Sequence, residues 1–333
     1  MIRRRLLLVL LASASMALQQ EFLRDEWESF KAKNGKKYTT GEEEDRRKCI
    51  FEKNLELIIQ HNKKYAEGKV TYKLAMNHFG DMLPSELTPE VTFPPGEGDN
   101  LEVHSSPAVA VNITDLPDEV DWRKKGAVTP VPDQGSCLSS YAFSAIGALE
   151  SQQFLKTTKL IPLSAQNVVD CGAVFHNRNC DGGYMDSTYG YIKINGGIDS
   201  EESYPYVGVK SDCAFDPAGV AATVSSFVNV RSATELTLMT KLATVGPVCA
   251  FIDNRLTSFI LYSEGVYHDP NCAKDTMNHA VLIVGYGATE KGEKYWIVRN
   301  SWGTQWGQGG YILIRRDSSN ECGIASFITY PVI

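Results

Sequence analysis

The chain has 333 residues, 43% of them hydrophobic, and a formal net charge of −7. That size and apolar content suit one or two globular domains with sizeable cores, and the mildly acidic balance without a basic tract gives no basis for nucleic-acid binding. None of the eight cysteines forms a C-x-x-C pair and the six histidines are scattered, which argues against a metal site; no cofactor motif appears.

Residues 1–17 read as a secretory leader. Arg3, Arg4 and Arg5 precede the apolar run Leu6 to Leu11, and an Ala/Ser stretch offers cleavage after Ala14 or Ala17. The run is too short to span a bilayer, so no membrane anchor is expected. The chain is expected in a secreted or lysosome-like vesicular compartment, where disulfides are allowed.

Residues 20–65 alternate charged and apolar residues in a pattern that predicts two amphipathic helices. The first carries Trp27 and Phe30. The second runs from about Glu42 to Lys64 and is expected to turn Phe51 and Ile58 toward its partner. Residues 90–115 contain Pro94, Pro95 and Gly96 and lack periodicity, as a linker does. They include the glycosylation sequon Asn112-Ile113-Thr114.

From Gln134 a Gly/Ser-rich turn leads into an apolar stretch. Ala142, Phe143, Ile146 and Leu149 recur at helical spacing, predicting a buried amphipathic helix that begins near Ser140. On its own a serine there is an ordinary helix cap. Residues 246–253 are a continuous apolar run typical of a buried strand, and 278–287 place His279 at the head of another. Residues 294–316 read as two strands joined by a Gly/Trp-rich turn carrying Asn300 and Trp302.

These segments resemble the papain family in its cathepsin L-like form. Glu43, Arg47, Phe51, Asn54, Ile58 and Asn62 match the spacing of that group's pro-region helix, and Ala75 to Asp81 resembles its second pro-region motif. The run Cys137-Leu138-Ser139-Ser140-Tyr141 is similar to C-G-[SA]-C-[WY], with Ser140 at the nucleophile position and Leu138 in place of Gly. The resemblance covers roughly residues 25–333. It implies an α+β fold with a helical left lobe, a β-barrel-like right lobe and a cleft between them, preceded by an inhibitory helical pro-region. The implied division is a leader at 1–17, a pro-region at 18–115 and a mature domain at 116–333. It also implies disulfides Cys137–Cys180, Cys171–Cys213 and Cys272–Cys322, where six cysteines by spacing alone leave the pairing open. Cys249 is expected to be a buried apolar residue.

Carried over residue by residue, the resemblance makes Ser140 the nucleophile, His279 its base, Asn300 the group orienting the base and Gln134 the oxyanion donor. Trp302 shields the His–Asn pair. Leu138, Gly182, Gly183 and Phe327 are expected to shape the substrate cleft, with Phe327 narrowing the main specificity pocket. A serine cannot be pre-ionised as a thiolate is, so the base must take its proton during attack.

The string Ser140-Tyr141-Ala142-Phe143-Ser144-Ala145 resembles silicatein, a silica-forming branch of the cathepsin L group. That likeness implies hydrolysis and condensation of silicon alkoxides or silicic acid, with weak or no peptidase activity. Two other readings follow from the same residues: a pseudoprotease that binds peptides or partners, and a structural protein that assembles into filaments. In each, the chain's own pro-region is an intramolecular inhibitor.

Overall fold

The computed structural model describes the backbone of residues 2–88 and 116–333, and the side chains of those from residue 18 onward. The leader side chains, the linker at 90–115 and the sequon at Asn112 lie outside the described residues.

Helix α1 (Ile2–Asn34) starts well before the expected first pro-region helix. No Gly or Pro interrupts this stretch, and Gly35, at φ +62°, follows the last turn. Helix α2 (Gly41–Ala66) begins at Thr40, whose side chain accepts from Glu43 N–H. Glu43 returns its carboxylate to the Thr39 hydroxyl, closing the turn between the helices.

Phe51 packs against Trp27 at 5.3 Å and Phe30 at 4.9 Å, joining α2 to α1. Ile58, expected to share that contact, instead enters the core cluster that joins Tyr72, Leu74 and Phe79 to the main sheet. Seven residues at 1.5 Å each place it about 10 Å further along the same face. The polar members of the six-residue pattern hold the chain that follows. Arg47 donates to Asp81 O and pairs with Glu86, Asn54 donates to Gly80 O, and Asn62 exchanges both its amide bonds with Leu74.

The next elements in order are β1 (Tyr72–Leu74), β2 (Val120–Asp121), α3 (Ser140–Thr157), α4 (Ala165–Cys171), α5 (Met185–Asn195), β3 (Ile198–Asp199) and β4 (Val220–Ala222). Then follow β5 (Ser226–Arg231), α6 (Glu235–Thr244), β6 (Val248–Ile252), α7 (Thr257–Ile260), β7 (Tyr262–Tyr267), β8 (His279–Ala288), β9 (Lys294–Arg299), β10 (Tyr311–Arg315) and β11 (Phe327–Val332).

The main sheet has the order β1-β7-β10-β9-β8-β6-β11-β5, with β2 paired to β8. Strands β10 and β7 run parallel and their neighbours antiparallel. Strand β1 of the pro-region joins this sheet through β7, opposite Gly265. A side chain at Gly265 would put its Cβ 2.4 Å from Thr71 O, so the docking depends on glycine there.

Helix α3 is central to both lobes. The sequence predicts an amphipathic helix, yet every residue from Ser140 to Ser151 is buried. Ala142, Ala145, Gly147 and Ala148 let α5 approach one side and β8 the other. A helix enclosed on all sides has no polar stripe to show.

Candidate active site

Ser140 is the first residue of α3, where the N–H groups of the first turn lack intrahelical acceptors. Its hydroxyl accepts a 3.3 Å bond from the N–H of Ala280. Ala280 follows His279, the first residue of β8, so Ser140 and His279 line the same cavity. Gln134, Leu138, Gly182 and Gly183 line it as well, together with Tyr141, Phe251, Asn278 and Leu87.

His279 is fixed by its ring. Its Nε2 lies 2.7 Å from Asn300 Oδ1, which also accepts from Ser301 N–H at 2.8 Å. An oxygen holding the Ser301 N–H can only accept from the imidazole, so Nε2 carries the proton and Nδ1 the lone pair. Trp302 lies 4.9 Å from the imidazole, centroid to centroid, and excludes water from the pair. Burial pushes the His279 pKa down to about 4, against a smaller opposing effect of the Asn300 bond. The ring is therefore neutral near pH 7.

Ser301 ties two site residues together. Its hydroxyl donates to Gln134 Oε1 at 2.6 Å, while Gln134 N–H donates to Ser301 O at 2.8 Å. The Gln134 amide nitrogen donates to Cys137 O at 3.0 Å, bracing the turn into α3. Cys137 is joined to Cys180; the other bridges are Cys171–Cys213 and Cys272–Cys322. Cys249 is buried, its thiol donating to Ser144 O, and burial pushes its pKa up to about 11. It does not line the cavity. Among the described residues no three His, Cys, Asp or Glu side chains converge as a metal-ligating group.

The cavity is tight. Tyr141 lies beneath Gly183, where a Cβ would fall 2.8 Å from the Tyr141 ring and 2.5 Å from Asn177 Oδ1. Phe327, expected to wall the specificity pocket, does not line this cavity. Its ring lies tilted, 6.0 Å from that of Phe251, and Phe251 is the aromatic that reaches the cavity, with Tyr184 edge-on at 6.4 Å. The reason is the register of β6 between β8 and β11, which sets Phe251 opposite Ala280, next to His279. Trp302 likewise covers the imidazole rather than lining the cavity.

The pro-region fills what space remains. Leu87, after the short helical turn Pro84–Glu86, is buried beside Ser140 and His279. Phe79 stands edge-on to Trp302 at 5.1 Å, completing a run of ring contacts from pro-region to imidazole. About 10 Å³ is left, room for about one water. Sequence reasoning missed Leu87, Phe251 and Ser301; a serine directly after Asn300 was the one visible signal among them.

A helical and a sheet lobe sharing one enclosed helix, with the chain's own N-terminal segment laid into their cleft, make a papain-like proenzyme. Residues 116–332 match the family described as papain family cysteine protease, and residues 27–87 match the cathepsin propeptide inhibitor domain (I29). The chain belongs to the papain family, and its relatives are cathepsin L-like. It is 43% identical over 339 residues to a cathepsin L-like peptidase of Aedes aegypti, covering 98% of each chain. It is 45% identical over 327 residues to procathepsin L of Felis catus, covering 97% of this chain and 96% of that one. The solved digestive procathepsin L2 proteinase from Tenebrio molitor larval midgut superposes with a TM-score of 0.85 at 40% identity, over 93% of this chain and 100% of that one.

Proposed function

We propose that Ser140 and His279 are the nucleophile and base of a hydrolase that acts on small silicon centres, alkoxides or silicic acid, with little or no peptide turnover. The observation that carries this reading is geometric: the Asn300 bond takes the Nε2 proton of His279 and leaves Nδ1 unprotonated, in a cavity shared with a hydroxyl rather than a thiol. A thiolate needs an imidazolium beside it; a serine needs a neutral base. The free thiol of Cys249 is walled off and protonated, so it does not replace the missing one.

In the proposed reaction Ser140 Oγ forms a bond to silicon while His279 Nδ1 takes its proton. The Si–O bond to the leaving alkoxide then breaks, and the imidazolium returns the proton to release alcohol. Water regenerates the serine and yields a silanol; a second silanol in its place yields a siloxane. Asn300 holds the imidazole, and Gln134, after leaving Cys137 O, donates to the developing negative charge together with the start of α3. In this proposal residues 1–17 export the chain to a secreted or vesicular compartment, and residues 18–115 inhibit the mature domain 116–333 until removed.

The crowding by Leu138, Tyr141 and Phe251 supports small substrates, and it equally supports a second reading, a pseudoprotease that binds peptides without cleaving them. Purified mature protein assayed on tetraethoxysilane and on a cathepsin L peptide separates the two. The proposal expects alkoxide hydrolysis lost on Ser140→Ala and on His279→Ala, with the double variant little worse than either. Alkoxide hydrolysis that survives Ser140→Ala overturns it.

A further inference from the structure

A second cavity, of about 340 Å³, lies on the other side of the Gln134 loop. Pro132, Phe143, Ile146, Pro162 and Leu163 supply apolar walls, and Asp133, Glu150, Arg299, Glu201 and Tyr206 supply polar ones. No pro-region residue lines it, so it stays open while Leu87 fills the Ser140 cavity.

Its shape is fixed by bonds. Tyr206 stands edge-on to Phe143 at 4.7 Å, and its hydroxyl lies 2.7 Å from Ser139 Oγ and 2.9 Å from Gln134 O. On the inner wall Glu150 accepts from the Thr129 hydroxyl and from Leu163 N–H at 2.8 Å. Burial holds the Glu150 carboxyl above its ordinary pKa, and Arg299, which donates to Thr129 Oγ1 at 2.8 Å, opposes that only in part.

Glu201 is left over. It accepts the Tyr206 N–H at 2.9 Å, but among the described residues no Lys, Arg or His pairs with it. Three acidic side chains, Asp133, Glu150 and Glu201, therefore face one guanidinium. With burial favouring the neutral form of Glu150, Asp133 and Glu201 still outnumber Arg299 and leave the cavity negative against apolar walls. Partial burial holds the Glu201 carboxyl above its ordinary pKa, the strain an incoming cation would relieve. A volume of this size, mostly apolar with a few fixed polar groups, suits a small organic ligand.

We propose that this cavity is a binding site for a lipophilic monocation, an aryl- or alkylammonium whose charge meets Glu201 and whose body lies against Phe143 and Ile146. The test uses the full chain and three probes of one shape: 2-phenylethylamine, 2-phenylethanol and phenylacetate. Calorimetry should show saturable one-site binding of the amine, about tenfold or more tighter than the alcohol, and no binding of the acid. Nuclear Overhauser contacts should run from the phenyl ring to Phe143 and Ile146. Glu201→Gln keeps an acceptor for Tyr206 N–H, and should weaken the amine about tenfold and abolish its advantage over the alcohol. Equal binding of all three probes, contacts elsewhere, unchanged amine affinity in Glu201→Gln, or no amine binding to the unaltered chain at about 10 mM would each overturn the proposal.

Discussion

The burial of His279 makes the proenzyme sensitive to acid in a way that can be calculated. Its ordinary pKa of 6.5 is lowered to about 4 in the folded chain, with burial as the leading cause. Between those values the unfolded chain binds a proton that the folded chain refuses, so stability rises with pH there. The contribution is fully present above pH 6.5 and is lost as pH falls toward 4. From pH 7.5 to 4.5 the linkage relation gives a loss on the order of 2–3 kcal/mol from this one residue. Two other histidines share the sign: burial also lowers the pKa of His78 and of His61 in the pro-region. To isolate His279, urea unfolding of Ser140→Ala is compared with Ser140→Ala/His279→Gln at both pH values, the alanine removing any self-processing. The chain with His279 should lose on the order of 2–3 kcal/mol more on acidification than the chain with Gln. Equal losses would refute the reasoning and mean that the imidazole is hydrated in the folded protein.

Two further outcomes are expected. Asn54→Ala leaves the buried Gly80 carbonyl without its 2.9 Å donor, at a cost of about 1–3 kcal/mol. Limited proteolysis between residues 75 and 88 should then be about tenfold faster, and an unchanged rate would show that Asn54 does not hold this segment. Phe251→Ala should lower stability by about 3–5 kcal/mol in thermal unfolding and open the Ser140 cavity, so that mature protein binds a peptide aldehyde with a bulky aromatic side chain more tightly. Phe327→Ala, which does not line that cavity, should improve such binding less; the reverse order would restore Phe327 as the wall.

What the sequence made legible depended on local spacing. The six positions in α2 were visible because each sits on a helical repeat, and the structure gives each a partner: Arg47, Asn54 and Asn62 hold the chain that follows, Phe51 holds α1, Glu43 the preceding turn, and Ile58 joins the main core cluster. Gln134, Ser140, His279 and Asn300 each stood within a recognisable run, and the fold brings these four into one neighbourhood through Ser301 and the Asn300 bond. The pairings that shape the cavity were not legible, because they join distant segments.

Phe251 illustrates the limit. It lies in β6, where all five residues are buried, so alternation carries no sign of which side chain reaches a cleft. Only its register with β8, opposite Ala280, puts it beside His279. Phe327 could be placed by counting from Cys322, yet counting along one chain fixes a position and not its neighbour. With Phe251 opposite, the ring of Phe327 becomes a second layer. Leu87 was hidden for the opposite reason: a leucine in a short stretch broken by two prolines has no period to read, and it matters because Arg47 and Glu86 anchor the turn that aims it at Ser140. Narrowness at this site is therefore a property of three chain segments meeting, and substitution at any one of them tests it.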